Sequence, residues 1–295
     1  MDIGVLKKVR TTFFNILLRC RAMEPTSLFD AARACIEAAE PAHKLAATRE
    51  AAAAWRAGRL AAAGGTPPGP IARPGLPARL ELVPPQALPR RGAGSRRGRA
   101  ALVHALCHIE YNAINLAWDA VYRFRGLPRA FYDDWVGVAV EEAHHFALLA
   151  ERLAELDCAY GDLPGHDGLW QAARETDHDP LVRMALVPRV LEARGLDVTP
   201  GIRRRLAAAG DHATAAVLDV IHRDEVDHVR KGTRWFRYLC RRRGLDPEVT
   251  FRALLERHLA GHRGGGPLAR EARRAAGFSE SELSYLEGTG APVPG

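Results

Sequence analysis

A glutamate followed three residues later by a histidine puts a carboxylate and an imidazole one turn apart on the same face of a helix. Composition gives roughly 0.8 such pairs by chance, yet the chain holds several, among them Glu141/His144, Glu142/His145, Glu175/His178 and Glu225/His228. Carboxylate and imidazole together suit iron and manganese. The question is which pairs a fold would turn inward.

Apolar periodicity sorts them. Positions 135, 138, 142, 145 and 149 read Trp, Val, Glu, His, Leu, so Glu142 and His145 interrupt an apolar stripe. The competing register, 134, 137, 141, 144 and 148, is more polar at its start. Positions 214, 218, 221, 225, 228, 232, 235 and 239 read Thr, Leu, Ile, Glu, His, Gly, Trp, Leu, which puts Glu225 and His228 in a second stripe. Glu175/His178 has no stripe and stands beside Asp179-Pro180, so it is read as chance. Glu110 lies in the stripe Leu102, Leu106, Ile109, Ala113, Leu116, Ala120, and Glu192 follows Leu181, Ala185 and Pro188. Glu110 precedes Glu142 by 32 residues and Glu192 precedes Glu225 by 33, a duplicated Glu…E-x-x-H pattern. Buried ionised carboxylates are costly unless paired or coordinated. Converging in one bundle, Glu110, Glu142, His145, Glu192, Glu225 and His228 would satisfy one another around two cations. That is the ligand pattern of di-iron and di-manganese helical bundles.

One residue before each E-x-x-H glutamate stands a second acid, Glu141 and Asp224. Residue i−1 projects about 100° round the helix from the ligand. A ligating histidine usually gives its free ring N–H to a carboxylate. Asp224 is therefore expected to approach His145, and Glu141 to approach His228, across the bundle; the other reading leaves both acids in solvent. His104 and His108 are read as structural or supporting side chains and not as ligands. Glu192 is the awkward member, only three residues before Gly195. Either the helix continues through a bend there or this ligand is the least secure.

The elements that must position these groups are helical. Alternating β-branched runs are almost absent, and Ala/Leu/Arg/Glu-rich stretches dominate, so the expected class is all-α. Two N-terminal helices are expected near Ser27–Ala39 and Pro41–Arg59. Between Gly64 and Gly98 stand eight prolines, among them Pro84 and Pro85; this forbids helix and leaves a linker or an arm laid on the bundle, with Leu80, Leu82 and Val83 apolar enough to be covered. An arm over Leu80–Leu88 is the expectation taken forward. Four longer helical patterns follow: Gly98–Phe124; Phe131–Leu156; Gly168–Arg194, interrupted near Asp177–Pro180, kinked at Pro188 and stopped at Gly195; and His212–Arg243. After Gly261 only Ser279–Leu286 reads as a short helix, in an otherwise mobile tail. The divisions are thus 1–63 (N-terminal extension and helices), 64–98 (arm), 99–262 (four-helix bundle) and 263–295 (C-terminal tail). Residues 1–22 read as an extension without a folding role, with Met23 an available start.

Composition narrows the function. The chain is 47% hydrophobic and 26% charged, which fits a globular core and not a disordered chain. No apolar stretch approaches the roughly 20 residues of a membrane span. Five scattered cysteines without a C-x-x-C exclude a cystine framework and a thiolate zinc site, and point to the reducing cytoplasm. The net charge is +7, carried by 38 arginines and only four lysines, Lys7, Lys8, Lys44 and Lys231. The cluster Arg90, Arg91, Arg96, Arg97, Arg99 is the best candidate for an anionic partner; Arg203–Arg205 and Arg241–Arg243 read as solvated helix faces.

The segments HIEYNAINLAWDAVYRF, AVEEAHHFALL, RMALVPRVLEARGLDVTP and RDEVDH resemble the ferritin-like superfamily, and more closely the bacterial DUF455 family of ferritin-like proteins. LVPPQALPRRG and SLFDAARACIEAAEPAHK share the resemblance, which covers most of residues 27–262. It implies a ferritin-like four-helix bundle and a dimetal site with two metal ions, iron first, Fe/Mn or Mn as alternatives. It implies no substrate. The expected activity is an O₂-dependent oxidoreductase or hydroxylase acting on a small molecule. A ferroxidase or metal-binding protein without organic substrate is the second reading. An RNA-modifying hydroxylase, with nucleic acid docked on the arginine cluster, is the third. Oligomeric state is left open.

Overall fold

The computed structural model describes residues 26–258 and 267–288. The expectations for residues 1–22 and for the Gly264–Gly266 run fall outside the described residues. Among the described residues the chain is helical, with two isolated β-bridges and no strand. The helices are α1 (Leu28–Glu37), α2 (Pro41–Arg56), α3 (Arg96–Arg123), α4 (Arg129–Glu155), α5 (Gly168–Glu175), α6 (Pro180–Leu186), α7 (Ala193–Ala208), α8 (His212–Arg242), α9 (Pro247–His258), α10 (Arg270–Ala275) and α11 (Glu280–Leu286). A π-helical turn, Val187–Glu192, joins α6 to α7 without a break.

Local chemistry sets the long helices. Ser95 caps α3 by accepting the Gly98 N–H at 3.1 Å, and Asp211 caps α8 by accepting that of Thr214 at 3.0 Å. Gly126, at φ +72°, turns the chain between α3 and α4, and Gly244, at φ +65°, follows the end of α8. The antiparallel pair α3/α4 and the run α6–π–α7 packed on α8 meet through α4 and α8 in one continuous apolar core. The α4 stripe is buried at Trp135, Val138, Glu142, His145 and Leu149, and the competing His144 is exposed. In α3 the register differs from the expected one: Ile109 is 42% exposed, and Val103, Cys107, Ile114, Ala117 and Val121 face the core. So much of α3 is covered that a single apolar stripe no longer marks its inner face.

The stop expected at Gly195 is corrected. Helix continues through Gly195 and Pro200 to Ala208, so Glu192 lies within a continuous helical run. Proline lacks an N–H, and its ring crowds the carbonyl four residues earlier. At Pro188 the chain absorbs this by widening into the π turn. Pro188 then presses on Gly232 of α8, where a Cβ would fall 2.4 Å from the ring.

Two flanks brace this core. On one side α1 and α2 cover α3 and α4, where the buried Lys44 ammonium donates to the carbonyls of Cys35 (2.7 Å) and Ile36 (2.9 Å) and to Asn115 Oδ1 (2.6 Å). These satisfy carbonyls that the end of α1 leaves unpaired. The proline-rich segment lies on the bundle over its first part. Trp170 donates to the Ile71 carbonyl, Leu80 is buried, and Glu81 and Val83 exchange backbone hydrogen bonds with Gly165. Its Pro84–Ala87 tip is exposed. On the other side α9, α10 and α11 pack on α6, α7 and α8. The mobile tail expected after Gly261 is therefore corrected for residues 267–288, which add a second helix, α10, and bury Arg273, Phe278, Glu282 and Leu283.

The Pro188–Gly232 contact yields a direct test. The variant G232A must push the π turn away from α8. It is expected to lower stability by about 1–3 kcal/mol, the usual cost of overpacking, read as a shift in the urea midpoint.

Candidate metal centre

Where α3, α4 and α8 meet, ligand atoms of Glu110, Glu142, His145 and Glu225 lie within 4.8 Å of one another. Glu142 stands between the two imidazoles. Its Oε2 is 3.2 Å from His145 Nδ1, and its Oε1 is 2.9 Å from His228 Nδ1. Glu110 Oε2 approaches His145 Nδ1 at 3.5 Å, and Glu225 Oε1 approaches His228 Nδ1 at 3.6 Å. The two rings are 5.8 Å apart. Glu192 lies outside the 4.8 Å group but in the same buried field, on the π turn, with Oε2 hidden from solvent and unpartnered. Glu175 and His178, by contrast, are both exposed.

Both imidazoles turn the same way. Each Nδ1 faces the carboxylates, and each Nε2–H points outward to an acid on the facing helix. His145 donates to Asp224 Oδ2 at 3.2 Å, and His228 donates to Glu141 Oε2 at 2.7 Å. Behind Glu141 sits Lys231, 3.4 Å away and bonded also to Asp227; behind Asp224 sits Arg223. An N–H fixed outward leaves the inner nitrogen's lone pair for a cation. His104 and His108 are engaged elsewhere. His104 Nε2 accepts the Gly161 N–H, and His108 bridges Tyr160 and the His166 carbonyl. Burial holds both imidazoles down to about 4.

The titration pattern has two causes, burial and the mutual pull of carboxylates and imidazoles. Burial and then the neighbouring Glu142 push Glu110 well up. Burial, Glu225 and Glu142 push Glu192 up to about 8. Burial would raise Glu142 too, but the imidazoliums of His228 and His145 hold it well below the usual carboxylate range. Burial opposes charge on His145 as well, yet Glu110 and Glu142 raise it to about 11. His228 is raised by Glu142, Glu141 and Glu225 against the same opposition. Without a cation the cluster holds protons in its place.

Four buried atoms here lack a hydrogen-bond partner: Glu142 Oε1, Glu192 Oε2, Glu225 Oε2 and His228 Nδ1. The close Glu142–His228 contact has ion-pair distance without hydrogen-bond alignment. Unpartnered buried oxygens and nitrogen of this kind are costly, and they are the donor set that iron or manganese takes. The residues present therefore fit a metal. Lys231 was not singled out from the sequence, although its type was the signal: a lysine in a chain that otherwise uses arginine. Of the arginine cluster, Arg96 already pairs with Asp157 and Arg99 with Asp211, leaving less free charge for an anion.

The sequence model of a family described as "Protein of unknown function (DUF455)" matches residues 37–284. A Haemophilus influenzae protein described as "Uncharacterized protein" is 44% identical over 219 residues, covering 72% of this chain and 75% of its own. No solved structure matches.

Two outcomes follow from the geometry. Metal loading must displace the protons that the raised imidazoles and Glu192 hold at neutral pH. Binding should release about two protons per chain or more, and affinity should climb as pH rises from 6 to 8; calorimetry in buffers of different ionisation enthalpy measures both. D224N removes the acceptor behind His145 and should weaken metal binding by roughly 10- to 100-fold with the fold kept, as read by metal titration and circular dichroism.

Proposed function

The chain belongs to the DUF455 family, and from that premise we propose that it is a ferritin-like carboxylate-bridged dimetal protein, an O₂-dependent oxidoreductase acting on a small organic molecule. The observation that carries the reading is the set of unpartnered buried ligand atoms on Glu142, Glu192, Glu225 and His228, gathered beside Glu110 and His145. Glu142, in contact with both imidazoles, would be among the residues that hold the ions. Glu110 and His145 would hold one, and Glu192, Glu225 and His228 the other. When bound, two irons, or an iron and a manganese, supply the electrons for O₂ activation.

The chain's own groups have separate tasks. Glu141 and Asp224 hold the imidazole N–H bonds outward and so keep each Nδ1 unprotonated once a cation is bound. Apolar side chains such as Leu149, Val138 and Ile221 exclude water from the stripe on either side of the ligands. A cleft of about 170 Å³ opens along the π turn, where Leu186, Val190 and Leu191 face Gln171, Glu175 and His258, and none of the six cluster residues lines it. No helix of the described residues is long and apolar enough to cross a membrane.

Metal analysis of the purified protein tests the reading. Wild type should carry two iron or manganese ions per chain, and the double variant H145A/H228A should carry none. After reduction, the wild type should consume O₂ and the variant should not. Equal metal content in the two proteins would overturn the metal centre. Sustained O₂ consumption driven by excess ferrous iron alone would favour the ferroxidase reading.

A further inference from the structure

Arg189 is a fully buried charge that the metal centre does not use. It lies on the π turn three residues before Glu192 and has no exposed surface. Its Nη2 donates to Glu282 Oε1 at 2.6 Å. Glu282 is itself buried, and its other oxygen accepts the Ser279 N–H at 3.0 Å, closing the capping box of α11. The guanidinium stands 3.9 Å from the ring of Phe251, 4.6 Å from Phe278 and 4.8 Å from Phe236. Thus α8, α9 and the segment leading into α11 all close on one side chain of the π turn. Two of its nitrogens, Nε and Nη1, have no partner.

Burying this pair is a poor route to stability, because desolvation offsets most of the attraction. What a fixed ion pair offers and an apolar contact does not is a single allowed register. Register is what the π turn needs. A π turn is an α-helix holding one extra residue in a turn. If it relaxed to α-helix, whatever follows would rotate by about 100°, enough to swing Glu192 away from Glu225 and Glu142. Pro188 on Gly232 holds the start of the turn, and Arg189 on Glu282 holds the next residue.

We propose that the Arg189–Glu282 pair is a latch that fixes the π turn and so aims the Glu192 carboxylate, which makes the C-terminal helices a working part of the metal centre. Arg189 and Glu282 are positioning residues, and the inference rests on Glu192 being a metal ligand.

The test uses the full chain, with cobalt(II) and iron(II) as probes. E192Q establishes the premise. It should lose one of two metals, and wild-type binding by E192Q would overturn the ligand set and the latch with it. The double variant R189M/E282L replaces the pair by apolar side chains of similar volume, an exchange that often leaves stability unchanged or raised. It should match the wild type in helical content, with the melting temperature of the metal-free protein lowered only by the lost capping bond of α11. It should nonetheless bind the second metal at least tenfold more weakly, with the first metal retained, as E192Q does. A purely structural pair would not separate the two metals. Wild-type binding of both metals by the double variant would overturn the latch. Should the double variant fail to fold, E282D keeps the charge while withdrawing the carboxylate by one methylene. A weakened second metal supports the latch, and two wild-type affinities refute it.

Discussion

Four carboxylates and two imidazoles crowd one largely buried region, and the rest of the structure answers to that constraint. An isolated buried carboxylate would cost several kcal/mol; among the described residues no arginine or lysine forms an ion pair with Glu110, Glu192 or Glu225, and Arg183 favours the Glu192 charge only from beyond ion-pair distance. The compensation comes from the imidazoles inside and from a ring of charge outside. Each imidazole passes an N–H to an acid, and each acid meets a cation at the surface, Lys231 behind Glu141 and Arg223 behind Asp224. Positive and negative groups therefore alternate outward from the centre. This order keeps the inner nitrogens free and lets the cluster survive either with protons or with metal.

The two halves of the centre are built differently. Glu110, Glu142 and His145 stand on two uninterrupted helices joined by a short turn, and their spacing needs no distortion. The other half draws Glu225 and His228 from a regular helix but Glu192 from a π turn. Pro188 is the local reason for that turn, and Gly232 is the space it requires. A π turn is a rare departure from the α-helix, and this half takes its restraint from outside the bundle. The C-terminal helices supply it through one buried cation and three phenylalanines.

Much of this was legible from residue spacing. Helix type and most boundaries follow from apolar periodicity and caps, to within about two residues. Glu142, His145, Glu225 and His228 stand out because a polar pair interrupts a stripe that is otherwise apolar. The outward pairs to Asp224 and Glu141 follow from a one-residue offset. Ile109 misleads because α3 is covered on several sides, so its pattern has no clean inner face. Gly195 misleads because glycine disfavours helix by only about 1 kcal/mol, and packing of α7 on α8 outweighs that. The Arg189 site left no local trace at all. Its partners come from residues 236, 251, 278 and 282, and no periodicity within one helix records a contact made that far along the chain.

The buried cations complete the logic. Only two lysines fall among the described residues, and neither is a plain surface charge: Lys44 is fully buried and Lys231 backs a histidine partner. A compact ammonium with three donors can satisfy three oxygens converging from different elements, where a planar guanidinium cannot follow the same geometry. Lys44 uses this to tie the end of α1 to Asn115 of α3, five residues from Glu110. Arg189 uses the opposite property, a flat surface that stacks on aromatic rings while one edge holds a carboxylate. Each flank of the bundle is thus pinned by a buried cation whose chemistry matches what must be joined, and on the C-terminal side Arg273, paired with Asp197, adds a second. The Lys44 and Arg189 pins each lie within a few residues of a glutamate of the cluster, so the flanks carry the geometry of the centre as well as its cover.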